Sequence, residues 1–148
     1  MRSFQKSEDQ EGVQRELSID EKWELSGYGS LEPRDLSEFK KMLGFENVID
    51  DDVDMIKSYT TDFTRKYSGH SSVVLTPQTH EQVRAIIQYC NERKLPLVPQ
   101  GGNTGLVGGG VPLKDEVMLS LRKMSKIISF DPVTGILKCE AGCVLQTL

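Results

Sequence analysis

A chain of 148 residues that is 37% hydrophobic and 27% charged, without a long apolar run, describes a soluble globular chain with material for one moderate core. Its formal charge of −4 argues against a nucleic-acid partner and a membrane span is excluded, since phosphate-backbone binders concentrate positive charge and only short Lys/Arg doublets occur here. Cys90, Cys139 and Cys143 form an odd set with no disulfide-framework pattern, and His70 and His80 lie far from the Cys139/Cys143 pair, so a reducing compartment fits and zinc-site spacing is missing.

Residues 1 to about 30 are polar and acidic, with Glu8, Asp9, Glu11, Glu16, Asp20 and Glu21 among few apolar positions, and read as a lead that cannot offset its own ordering entropy. It is neither Arg-rich like a mitochondrial transit segment nor apolar-centred like a secretory signal. From Glu32 to Leu43, Leu36, Phe39, Met42 and Leu43 recur at helical spacing and Gly44 stands ready to end the helix. The aspartates from Asp50 to Asp54 suggest a calcium loop. Counting from Asp50, however, puts Met55 where the loop needs Gly and Thr61 where it needs Glu, so the run reads as a solvated turn.

Tyr59 to Ser72 shows little periodicity, and its turn cluster Gly69-His70-Ser71-Ser72 leads into Val73-Val74-Leu75, a short strand closed by Pro77. His70 reads as solvent-facing. Thr79 and Gln82 have capping-box spacing, and Val83, Ile86, Ile87 and Cys90 make one apolar stripe, which assigns Cys90 to the core. Pro96 stops that helix, and Leu97-Val98 begins a strand, completing a βαβ crossover whose second strand runs into Gly101 to Gly110. Val117 to Leu121 reads as a further strand. Lys126 to Phe130 and Ile136 to Glu140 read as a hairpin across Asp131-Pro-Val-Thr-Gly, and Cys143 to Leu148 as the first turns of a helix cut off in mid-element.

Six of the ten residues from Gly101 to Gly110 are glycine, more than a surface turn requires. Such a run leaves main-chain N–H groups bare and suits a loop that wraps an anion. A Walker loop is absent, because the first Lys after the glycines is Lys114, preceded by Val-Pro-Leu. A Rossmann fingerprint is absent too, since no first, third and sixth glycine triplet opens a helix and Pro112 follows. The order is strand, loop, strand, with no helix dipole aimed at the ligand, so successive amides must carry the binding. The loop therefore reads as a diphosphate cradle; a flexible linker would not be bracketed by Leu-Pro-Leu-Val-Pro-Gln and Val-Met-Leu-Ser-Leu.

The string Val98-Pro-Gln-Gly-Gly-Asn-Thr-Gly-Leu-Val-Gly-Gly, after Val73-Val-Leu-Thr-Pro and before Gly135-Ile-Leu-Lys-Cys-Glu-Ala-Gly, resembles the amino-terminal part of the flavin domain in the vanillyl-alcohol oxidase and p-cresol methylhydroxylase (PCMH) superfamily, in its 2-hydroxyacid branch. The resemblance covers roughly Leu36 to Leu148. It implies an α+β fold, the amino-terminal part of a PCMH-type FAD-binding domain with a small mixed sheet and flanking helices, in which 31–148 would be an incomplete domain. It also implies FAD, with Pro99, Gln100, Gly101, Gly102, Asn103, Thr104, Gly105, Leu106, Gly108 and Gly109 as cofactor-binding residues: amides of Gly101 to Gly105 on the diphosphate, the Asn103 and Thr104 side chains adding polar contacts, and Gly108 and Gly109 leaving room. Family enzymes of this kind oxidise a D-2-hydroxyacid to the 2-oxoacid and pass electrons to an electron-transfer flavoprotein in mitochondria. The family's second glycine-rich flavin contact, its carboxylate-binding arginine and its metal-holding histidines and acid would lie beyond Leu148, so no catalytic residue and no metal is assigned, and the chain alone is expected to be inactive. Two other classes stay open: a non-catalytic nucleotide-binding module, and an interaction protein built on the acidic lead and the Leu36 helix.

Overall fold

The computed structural model describes residue 16 and residues 18–148. Most of the acidic lead, residues 1–15 and 17, lies outside them. The rest of it is not featureless. Ser18 accepts from the Glu21 amide at 3.3 Å while the Glu21 carboxylate accepts from the Ser18 amide at 2.8 Å, and this capping box starts helix α1, Ile19–Ser26. Gly27, at φ 68, ends it. No residue of α1 is buried; the helix is attached through Lys114, which pairs with Asp20 at 2.8 Å and lies over the Trp23 ring.

Helix α2, Pro33–Leu43, follows the apolar spacing expected of it, with Pro at its first turn and Phe39 and Leu43 buried. The aspartate run is more structured than a solvated turn. Val48–Ile49 forms strand β1, and Asp52 accepts from the Met55 amide at 2.9 Å to cap helix α3, Val53–Tyr59. Strand β2, Val74–Leu75, precedes helix α4, His80–Arg93, in which Ile86 and Cys90 are buried as the stripe predicts. Thr79 caps the Gln82 amide, but Gln82 returns its side chain to the amide of Gln78, one residue before the cap.

Strands β3, Leu97–Gln100, and β4, Val117–Ser120, complete a four-stranded sheet of order β1-β2-β4-β3. β1 is antiparallel to β2, whereas β2 and β3 both run parallel to β4, with Val74 opposite Met118 and Gln100 opposite Ser120. The βαβ unit read from the sequence is thus split by β4. Alternation sends Val73, Leu75, Val117 and Leu119 into one core with Phe39, Leu43, Ile86 and Cys90 from α2 and α4. Val74 and Met118, on the opposite face, are fully buried as well.

The hairpin is formed as expected by β5, Ile127–Asp131, and β6, Ile136–Cys139, with a register irregularity between Ile127 and Ser129. The helix expected after Cys143 is only a 3-10 turn, Leu145–Thr147.

Candidate functional site

The parallel pair β3 and β4 sets the direction of the glycine loop. Leu121 N donates to Gln100 O at 2.9 Å, so pairing persists to the last residue of β3 before the chain leaves the sheet at Gly101. Gln100, 2% exposed, then closes the neck of the loop: its Nε2 donates to Gly110 O and to Tyr59 O, each at 2.8 Å. Farther out, Asn103 adopts φ 56 and its Nδ2 donates to Thr61 O at 2.7 Å. At the far side Gly108 stands at φ 74, and a Cβ there would come within 2.9 Å of the Tyr67 ring, so glycine is required at that position on two counts.

The tethered loop surrounds a cleft of about 240 Å³, lined by Pro99 to Gly105, Gly108 to Val111, and Asp62. Of the residues expected from the sequence to bind a cofactor, Pro99, Gln100, Gly101, Gly102, Asn103, Thr104, Gly105, Gly108 and Gly109 are brought together here. Leu106 is not; it is 64% exposed and outside the lining. The Asn103 amide group, expected to face a ligand, donates instead to the Thr61 carbonyl.

Asp62 was not expected from the sequence. It is 4% exposed, and its carboxylate accepts from the amides of Tyr67 and Thr64 and from the Thr64 hydroxyl. Burial pushes its pKa up, but these hydrogen bonds outweigh that and hold it below the usual carboxylate value. The Asp-x-Thr spacing of a side-chain turn was the available signal. His70 is solvent-facing, with its Nδ1 3.4 Å from Asp115.

Three observations test whether these residues fit a diphosphate. Among the described residues, none of the main-chain amides from Gly101 to Gly110 donates to a protein acceptor. A Cβ at Gly105 or Gly109 would meet nothing within 4 Å, and neither has a positive φ, so the fold itself does not demand glycine there. Gln100 Oε1, at the edge of the cleft, is buried without a hydrogen-bond partner. A row of unspent donors, bare space and an orphaned acceptor suit a bulky anion bearing hydroxyl groups. The residues fit FAD.

Comparison with known proteins defines the class. A model of the FAD binding domain matches residues 71–148, and the chain belongs to this FAD-binding family. More particularly, it is 48% identical over 121 residues to the mitochondrial D-2-hydroxyglutarate dehydrogenase of Arabidopsis thaliana, covering 82% of this chain and 22% of that protein. It is likewise 48% identical over 114 residues to the mitochondrial D-2-hydroxyglutarate dehydrogenase of Danio rerio, covering 77% of this chain and 21% of that one. Among solved structures, p-cresol methylhydroxylase with substrate bound superposes with a TM-score of 0.63 at 29% identity, covering 73% of this chain and 22% of its own. The fold is thus the PCMH-type FAD-binding fold, and the chain spans about a fifth of the length of the relatives it matches.

Proposed function

We propose that this chain supplies the diphosphate-binding segment of a flavoenzyme that oxidises D-2-hydroxyglutarate to 2-oxoglutarate. The observation that carries the reading is the run of unspent amides in the glycine loop, at Gly101 to Gly105 and Gly108 to Gly110 on the cleft lining, joined to the similarity with proteins named for that activity. The chemistry that a bound FAD would supply is that of a hydride acceptor for C2 of the hydroxyacid. This chain's residues would bind and orient: amides of Gly101 to Gly105 would donate to phosphate oxygens, Gln100 bridges the loop ends, Asn103 ties the loop to Thr61, and Gly105 and Gly109 leave the anion room. No residue here is assigned to C2–H cleavage. A mitochondrial location belongs to the same reading, supported by the names of the relatives, and delivery of electrons to an electron-transfer flavoprotein is carried by the family resemblance alone.

The test is flavin binding. Gly102→Val and Gly105→Val place side chains where no φ and no packing forbids them, so helix content and unfolding midpoint stay unchanged while FAD affinity falls at least about a hundredfold, the size expected when several charge-assisted donors are blocked. FAD retained at wild-type affinity by both variants would overturn the assignment. The chain with added FAD is expected to show no D-2-hydroxyglutarate oxidation; turnover above a blank would require catalytic groups within these residues.

A further inference from the structure

A second hollow of about 320 Å³ adjoins the glycine cleft, sharing Asp62, Gly102 and Asn103 with it, and is walled by Phe63, Arg65 and Arg122. Arg65 and Arg122 therefore border a hollow that shares Gly102 and Asn103 with the glycine cleft. The ion pairs that arginines make among the described residues belong to Arg34 and Arg93, so Arg65 and Arg122 carry unpaired charge. Asp62, on the same lining, forms no ion pair with either arginine; its carboxylate accepts from Thr64 and Tyr67 within its own turn.

Both cations are held by the frame that holds the loop. Arg122 lies 5.0 Å from the centroid of the Tyr59 ring, and the Tyr59 carbonyl accepts from Gln100, the residue that closes the loop neck. Arg65 stands at φ 60, left-handed backbone that a residue with a Cβ adopts only where its surroundings impose it, and its amide donates to Asp62 O at 3.1 Å. A diphosphate brings two negative charges, whereas the loop offers neutral amides and no helix N-terminus follows it. Lys114, the first lysine after the glycines, is committed to Asp20 and Trp23.

We infer that Arg65 and Arg122 supply the counter-charge for the FAD diphosphate, acting across Gly102 and Asn103. The inference rests on the FAD reading above, and its test separates the two. FAD, riboflavin and inorganic pyrophosphate are titrated into the chain and into Arg65→Gln, Arg122→Gln, Arg122→Lys and the double glutamine variant, with helix content checked by circular dichroism. Both arginines are exposed, so the substitutions leave the fold intact. Each glutamine weakens FAD about tenfold and the pair about a hundredfold, as expected for lost charge-assisted contacts. The salt dependence of FAD binding becomes shallower, Arg122→Lys restores it, and riboflavin, which has no phosphate, binds all variants alike.

Wild-type FAD affinity and salt dependence in the double variant would overturn the arginine assignment while leaving the FAD reading in place. Pyrophosphate binding lost in the double variant, without FAD binding by any form, upholds the arginines as an anion site and overturns the FAD reading. Binding of neither FAD nor pyrophosphate by the wild-type chain overturns both.

Discussion

Asp35 is fully buried between α2 and α4, and its carboxylate accepts from the Tyr89 hydroxyl at 2.6 Å, Arg93 Nε at 2.9 Å, Arg93 Nη2 at 3.3 Å and the Glu32 amide at 2.8 Å. Burial pushes its pKa up from 3.8, but the Arg93 and Tyr89 hydrogen bonds, the Glu32 amide and the Arg93 charge together bring it to about 2. Burial and the bond to Asp35 in turn raise Tyr89 to about 12. Because Asp35 titrates lower folded than unfolded, its stabilisation is complete above its ordinary value of 3.8 and is lost as pH falls towards about 2. That difference corresponds to roughly 2 kcal/mol. Urea unfolding of the wild type should therefore show stability falling from pH 4 to pH 2, and Asp35→Asn should flatten that fall; an equally steep acid slope in the variant would refute the assignment. Arg93→Met, which strips the buried carboxylate of its cation, should cost about 3 to 5 kcal/mol at pH 7. None of this was legible beforehand, since an acid in a helix's first turn and an arginine in its last are ordinary surface residues by pattern alone.

At the scale of elements, local signals were legible wherever the determinants are local. Apolar spacing placed α2 and α4, and the Pro and Gly of Asp131-Pro-Val-Thr-Gly placed the hairpin. Even α1 had its signal in Ser18 and Glu21, masked by the acidity around it, and α3 had one in Asp52. Pairing across sequence left no such mark: β4, last of the four strands in the chain, lies between β2 and β3 and pairs parallel with both, and its own run Val-Met-Leu-Ser is buried at every position. The glycine loop shows the same divide. Its density of glycine declared an anion cradle, but the Gln100 bridge to Tyr59 and Gly110, which decides the loop's shape, depends on residues up to 41 positions apart. Gln100→Leu keeps the volume and removes both donors, leaving two carbonyls unpaired at a cost of about 2 to 4 kcal/mol and loosening the cradle. Denaturant unfolding and FAD titration of that variant should both register it; an unchanged FAD affinity would show that the neck does not shape the site.

For the molecule as a whole, burial divides the structure into two tiers. The four-stranded sheet has apolar residues buried on both faces, with β4 buried at every position. The β5–β6 hairpin shares none of the core cluster, every residue of β5 is exposed, and Phe130, Val133 and Ile136 are largely in solvent. A two-stranded ribbon without a buried face is marginal on its own, so its order depends on attachment to the sheet. That attachment is narrow. Gly142 N donates to Met124 O at 2.8 Å, Glu140 accepts from the Lys126 amide at 2.7 Å, and a Cβ at Gly142 would clash with the main-chain oxygen of Leu121. Gly142→Ala must therefore push the ribbon off the end of β4, close to the glycine loop, since a Cβ at Gly101 would touch Ala141 O at 3.5 Å. Native-state hydrogen exchange should show β4 amides opening only with global unfolding, while the amides of β5 and β6 exchange through a cheaper local opening. In Gly142→Ala the hairpin amides should lose most of that protection and the β4 amides little of theirs. Equal protection of hairpin and sheet in the wild type, or loss of both together in the variant, would mean that the two tiers unfold as one cooperative unit.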